Sequence, residues 1–302
     1  MINVVIPVHN RRELTRQCLA CLAAQTYTNF RVIVVDDGST DGTGEMIREF
    51  YPSVVVLRGD GNLWWTEATN WGIRYAQEHP MTGSAARSVQ AGPREEHFVL
   101  TLNDDTEVRE DYLQTLLDAY QQHKPCLVGS PSVDVANPNK LEFAGARSEL
   151  YFAGGRGLAP DYNNDYRELL RRAEYVESDS LPGRGTLIPM AVFDRIGLYD
   201  SKRFMHYMSD IEFSVRAKKA GYRLIVNTKS IVYEYVKATG LFINQQPTWK
   251  DFINSFTSVR SPTNLTVRYN FAIVHSKTKL LYFLFDISRI CVGFLRRKVR
   301  MG

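Results

Sequence analysis

The chain is poor in cysteine and holds no long uncharged apolar run. Four cysteines in 302 residues are too few to staple a fold of this size, so the expected setting is a reducing cytoplasm. No apolar stretch is long enough to cross a bilayer as a helix. Met1 leads straight into the strand-like INVVIPV, without the basic start or cleavage site of a secretory leader. Charge of one sign is also scarce. The net charge is +4, and much of that excess lies in RRKVR near the C-terminus, which argues against a nucleic-acid partner. Glycines are missing from PVHNRREL, the turn after the first strand. That turn therefore has neither the Gly-rich loop of a sugar-phosphate nucleotidyltransferase nor the G-x-G-x-x-G of a dinucleotide oxidoreductase.

What is present is an alternating pattern. INVVIPV, FRVIVVDDGS, SVVVLRG and HFVLTLNDD read as strands. RELTRQCLACLAAQ, GTGEMIREFY and EATNWGIRYAQEH between them read as amphipathic helices. Val- and Ile-rich strands separated by such helices predict an α/β fold with a mostly parallel central sheet covered on both faces. PMTGSAARSVQAGPREE reads as a surface loop or insertion. The second half is less regular: YLQTLLDAYQQH and DIEFSVRAKKAGY read as helices, CLVGSPSV as a strand, LEFAGARSELYFAGGRG as a hairpin and RLIVNTKSIVYEY as one or two strands. The chain is expected to divide into a main domain over residues 1–240, with halves 1–110 and 111–240, and a helical extension over 241–302. Cys18 and Cys21 form a C-x-x-C, but inside a helical pattern i and i+3 share a face, which favours packing over redox or metal chemistry.

Ligands of open α/β sheets bind beyond the carboxyl ends of the strands. Polar residues collect at four such ends: Pro7-Val8-His9-Asn10, Asp36-Asp37-Gly38-Ser39, Gly59-Asp60-Gly61-Asn62 and Asn103-Asp104-Asp105. Ser39, Thr40 and Asp41 are explained as caps of the next helix. Asp36 and Asp37 precede the turn, and a carboxylate there can accept a hydrogen bond from a pyrimidine N–H. Adjacent Asp104 and Asp105 repel each other and are tolerated around a cation, in the way Mg2+ or Mn2+ takes one or two carboxylates together with substrate phosphates.

Taken together, VVIPVHNR, CLACLAAQTYTNFRVIVVDDGSTDGT, NDD and PGRGTLIPMAVFDRIGLYDSKRFMHYMSDIEFSVRAKKAGYRL resemble family 2 glycosyltransferases of the glycosyltransferase A fold, over about residues 2 to 240. The resemblance implies that Asp37 binds the nucleobase, that Pro7 and Val8 line its pocket, and that Asp104 contacts the ribose. Asp105 would hold Mn2+ or Mg2+ on the diphosphate. Asn10, Asn62, Asn103 and Trp65 fall on the donor side. Asn103 replaces the first Asp of the D-x-D that many relatives carry, so one strong metal carboxylate remains. Asp210 matches the catalytic base, with Ser209 where relatives often have Glu. Glu212 restores part of the negative field, and the bland reading of both acids is a favourable helix N-terminus. Glu234 lies near the point where relatives carry a His contact to diphosphate or metal. Arg184, Gly185, Trp64, His206 and Glu212 are acceptor-side candidates. Trp64 and Trp65 replace small residues of the family, and either packs or stacks on a sugar; Trp71 and Tyr75 read as packing.

The implied reaction is single displacement with inversion. A hydroxyl of a glycan or lipid-linked acceptor attacks the anomeric carbon of a UDP- or dTDP-sugar, and Asp210 takes its proton. The acceptor-side motif resembles bacterial rhamnosyltransferases, which favours dTDP-rhamnose. A non-catalytic carbohydrate-binding protein would need neither Asp105 nor Asp210. The tail KLLYFLFDISRICVGFLRRKVR is interrupted by Asp286 and Arg289. It reads either as a peripheral helix on the inner face of the cell membrane, with Arg296, Arg297, Lys298 and Arg300 on anionic head groups, or as a helix packed on the protein.

Overall fold

A computed structural model of the protein describes residues 1–80, 96–236 and 248–299. The insertion at 81–95, the boundary expected at residue 240 and Arg300 lie outside the described residues. Strands and helices alternate as the periodicity predicts: β1 (Ile2–Val8), α1 (Arg12–Ala23), β2 (Phe30–Asp36), α2 (Thr43–Phe50), β3 (Val55–Arg58), α3 (Trp64–Glu78) and β4 (Phe98–Thr101). Next come β5 (Thr106–Val108), α4 (Tyr112–His123), β6 (Cys126–Gly129), β7 (Ser132–Asp134), β8 (Asn137–Phe143), β9 (Ala146–Arg147) and β10 (Arg156–Gly157). They are followed by α5 (Tyr166–Arg172), β11 (Tyr175–Glu177), β12 (Thr186–Pro189), α6 (Met190–Ile196), α7 (Ser209–Lys219), β13 (Arg223–Asn227) and β14 (Val232–Glu234). The extension contributes α8 (Trp249–Ser255), α9 (Leu265–His275) and α10 (Leu280–Val299).

The main sheet runs β11-β13-β6-β12-β4-β1-β2-β3. Its β4-β1-β2-β3 edge is parallel throughout. Ile2, Val4 and Ile6 of β1 face the layer holding Cys18, Leu19, Leu22, Met46 and Ile47, while Val5 faces the layer holding Ile73 and Ala76. A strand buried on both faces needs apolar residues at every position, which is why INVVIPV does not alternate. The other side of the sheet is mixed: β12 enters antiparallel between β4 and β6. β5, β14, β7 and β8 form a second sheet. The stretch CLVGSPSV, expected as one strand, divides at Ser130-Pro131 between the two sheets, and RLIVNTKSIVYEY divides likewise. Strand four also ends earlier than HFVLTLNDD suggested. Pairing stops at Thr101, and Asp104 and Asp105 form the turn that leads into the second sheet. The extension is three helices with breaks between them rather than one helical run.

Candidate active site

The cleft is built from loops at the carboxyl ends of β1, β2, β3 and β4, faced by the segment before β12 and the start of α7. The turn after β2 closes on its own carboxylate: Asp36 accepts from the Ser39 N–H at 2.9 Å, a turn role that the sequence did not reveal. Asp37 reaches further. Its Oδ1 accepts from the Gly61 N–H at 2.8 Å, and its Oδ2 from the N–H groups of Leu63 at 3.0 Å and Trp64 at 3.1 Å. Asp37 thereby caps α3 and fixes the loop after β3, while Oδ1 keeps one acceptor lone pair. Gly38, at φ +70°, lies so close to that loop that a Cβ would come within 2.8 Å of the Gly61 nitrogen. Asn10 ties the tip of β1 to the same turn, donating its backbone N–H to Ser39 Oγ at 2.9 Å and accepting from the Thr40 N–H at 2.8 Å. Val8 is buried and Pro7 half-buried beside it, and Asn62 is exposed.

Asp104 and Asp105 are both buried, and one guanidinium joins them: Arg11 Nη1 is 3.2 Å from Asp104 Oδ1 and 2.8 Å from Asp105 Oδ2. Burial pushes the Asp104 carboxyl up to about 7, against the pull of Arg11 and with a further push from Asp105. Its Oδ2 is buried and has no hydrogen-bond partner. The donor chemistry therefore fits a hard divalent cation held by one or two carboxylates and completed by phosphate and water. No cluster of three or more His, Cys, Asp or Glu among the described residues is placed to hold a metal ion. Glu234 is buried in an ion pair with Arg184, whose Nη2 also donates to Ser132 Oγ at 3.3 Å. The N–H of Gly185 donates to the Thr101 carbonyl at 2.7 Å, which seats this segment against β4.

Asn103 works through its amide. Its Oδ1 accepts from Trp65 Nε1 at 3.0 Å, so an Asp in place of Asn is not needed to hold the indole. The Trp65 ring backs onto Gly183, where a Cβ would lie 2.2 Å from the ring, and meets Tyr199 edge-on at 5.6 Å. The Gly183 N–H donates to Asp210 Oδ2 at 3.2 Å, and the Ile211 N–H donates to Oδ1 at 2.8 Å. A chain of direct contacts thus runs from Asn103, beside the acidic turn, through Trp65 and Gly183 to Asp210. Burial raises the Asp210 carboxyl above the usual carboxylate range, with the two N–H donors and Arg184 opposing. A raised carboxyl with acceptor capacity left is suited to taking a proton. Asn70 clamps the Gly197-Leu198-Tyr199-Asp200 turn from α3, donating to the Tyr199 carbonyl at 2.9 Å and accepting its N–H at 3.1 Å.

Glu212, two residues after Asp210, points elsewhere. It is paired with Arg216 at 2.7 Å and lies 3.1 Å from His275 of α9, away from Asp210's donors. Burial pushes its carboxyl up, but His275 and Arg216 outweigh this and hold it below the usual range. Trp64, at φ +56°, turns its ring to His206, edge-on at 5.8 Å. The guanidinium of Arg260 lies 5.6 Å from the Trp64 ring centre. Burial, then Arg260 and Arg11, push His206 down to about 4, so it is neutral at pH 7. Arg11 and Arg260 are the site residues that sequence reasoning missed. Arg11 is the last residue of the VVIPVHNR motif, but its partners lie 93 and 94 residues away. Cys18 and Cys21 are free thiols on α1, with Cys18 buried, which bears out packing.

The family model for glycosyl transferase family 2 matches residues 3–197. The glycosyltransferase GlyA of Streptococcus pneumoniae is 28% identical over 151 residues, half of this chain and 18% of that protein. N-acetylglucosaminyl-diphospho-decaprenol L-rhamnosyltransferase of Mycobacterium tuberculosis is 27% identical over 231 residues, 74% of this chain and 72% of that protein. The chain thus spans under a fifth of the first relative's length and nearly three quarters of the second's. Among solved structures, GalNAc-T7 with UDP, GalNAc and Mn2+ aligns at a TM-score of 0.57 and 16% identity, covering 97% of this chain and 57% of that one. TarS of S. aureus aligns at 0.55 and 17% identity, covering 98% of this chain and 43% of that one. The chain is a glycosyltransferase of the glycosyltransferase A fold and belongs to glycosyl transferase family 2.

Proposed function

We propose that the protein transfers a sugar from a UDP- or dTDP-sugar to a hydroxyl of a cell-surface glycan or lipid-linked acceptor, with inversion at the anomeric carbon. The observation that carries this reading is the contact chain Asn103–Trp65–Gly183–Asp210, which puts the acidic turn and a carboxylate of raised pKa in one cleft. Asp37 and the backbone at Pro7 and Val8 receive the base, and Asp104 and Asp105 face the ribose and diphosphate. Asp105 would hold Mn2+ or Mg2+, and the metal would supply Lewis-acid stabilisation of the diphosphate. Asp210 accepts the proton of the attacking hydroxyl while the Gly183 and Ile211 N–H groups keep its carboxylate oriented. The relative acting on a decaprenol-linked sugar supports a lipid-linked acceptor and dTDP-rhamnose as the first donor to try.

The extension supports a place at a membrane surface. Leu280, Leu281, Leu284, Phe285, Val292 and Leu295 of α10 are exposed along one stripe, ending in Arg296, Arg297 and Lys298. Asp286 faces inward, paired with Arg268 at 3.1 Å and Arg289 at 2.6 Å, so another face of the helix packs on the protein. No helix among the described residues is long and apolar enough to cross a membrane.

Thermal shift against a panel of nucleotide sugars with Mn2+, followed by nucleoside diphosphate release, tests the reading. One UDP- or dTDP-sugar raises the melting temperature and is slowly hydrolysed. Asp105→Ala weakens metal-dependent nucleotide binding by about a hundredfold or more, roughly 2.8 kcal/mol. No stabilisation by any member of the panel contradicts it.

A further inference from the structure

The groups that meet around Trp64 and His206 come from three distant parts of the chain. Arg11 follows β1, His206 precedes α7 and Arg260 belongs to the connection between α8 and α9. That connection is tightly folded. Asn264 donates to the Thr257 and Ser258 carbonyls at 3.1 Å, Leu265 N–H to the Phe256 carbonyl at 2.9 Å, and the Arg260 N–H to Ser258 Oγ at 3.2 Å. It presents Arg260 toward the cleft, over Trp64. The Thr66 N–H donates to the Met205 carbonyl at 3.2 Å, which brings His206 to the same place.

Arg260 forms no ion pair among the described residues. Its neighbours Trp64 and His206 carry no negative charge, and the His206 Nδ1 is buried without a hydrogen-bond partner among the described residues. Arg11, by contrast, already faces Asp104 and Asp105. Arg260 lies over Trp64, whose ring meets His206 edge-on, and the charges of Arg260 and Arg11 both disfavour protonation of that imidazole. A guanidinium without an ion pair, stacked on Trp64 beside an imidazole with an unpartnered buried nitrogen, is a setting that an anion would balance.

We propose that Arg260, supplied by the C-terminal extension, is a ligand of the donor's diphosphate, so that the extension completes the donor site as well as flanking it. The assignment rests on the glycosyltransferase reading above. A guanidinium over an aromatic face keeps two N–H edges free for phosphate oxygens. An alternative role, in which Arg260 only steadies Trp64, would alter the pocket for charged and uncharged ligands alike.

Calorimetric titration of the full chain with UDP and dTDP, and with uridine and thymidine, in the presence of Mn2+ separates these roles. Arg260→Ala weakens binding of the diphosphate by about tenfold, changes nucleoside binding less than twofold and leaves the melting temperature in place; Arg260→Lys recovers part of the loss. Unchanged diphosphate affinity, or an equal loss for diphosphate and nucleoside, overturns the assignment. A parent protein that binds neither diphosphate overturns the donor-site reading and this assignment with it.

Discussion

Two faces of α7 hold carboxylates two residues apart in opposite surroundings. Toward the cleft, Asp210 accepts hydrogen bonds from the backbone N–H groups of Gly183 and Ile211, and its proton affinity is raised. Toward the extension, Glu212 is buried with Arg216 and His275, and its proton affinity is lowered. N–H dipoles orient a carboxylate without cancelling its charge, whereas a guanidinium holds it ionised and occupied. One helix thus carries the proposed base and a group that fastens α9. Divergent environments for neighbouring acids are the usual way one site assigns them different roles.

This contrast is broken or sharpened by perturbing one face at a time. The largest stability effect is expected on the extension side. Glu212→Gln leaves Arg216 and His275 facing each other without an anion and costs about 3 kcal/mol in denaturant unfolding, while turnover per folded molecule is retained. A turnover loss at unchanged stability would reverse the two roles. On the cleft side, Gly183→Ala drives a methyl into the Trp65 ring and costs roughly 1–3 kcal/mol. It also lowers turnover, because the N–H that orients Asp210 moves with the backbone; near-normal turnover would remove the Trp65–Gly183 link from the account.

The smallest effect is a pH dependence. His206 is held at about 4, against 6.5 for a free imidazole. As pH falls from 6.5 toward 4, the unfolded chain gains a proton that the folded chain refuses, so stability contributed above 6.5 is lost across that window. His206→Gln flattens this part of the thermal-melting profile by a few degrees. Superimposable profiles would show that His206 is not held neutral.

The strand ends were legible because a parallel sheet with both faces buried announces itself through apolar runs, and its ligand edge follows from topology. Asp37, Asn103, Asp104 and Asp105 stand out as candidates that way, and Asp210 through the resemblance. Their partners were not legible. Arg11 binds an acidic turn more than ninety residues on, Trp65 spends its indole N–H on Asn103, and Glu234 is matched by Arg184 fifty residues away. Such pairings depend on where strands cross over, above all on β12 entering antiparallel beside β4. No local period in the sequence encodes that. Arg260 was hidden for the same reason, lying beyond the region over which the family resemblance runs.

The most direct test of the central claim is Asp210→Asn, measured in one preparation for donor affinity by calorimetry and for transfer by release of nucleoside diphosphate. Donor affinity at the parent value with turnover reduced about 10²- to 10⁴-fold is the predicted result. Transfer at the parent rate would contradict Asp210 as the group that takes the acceptor's proton.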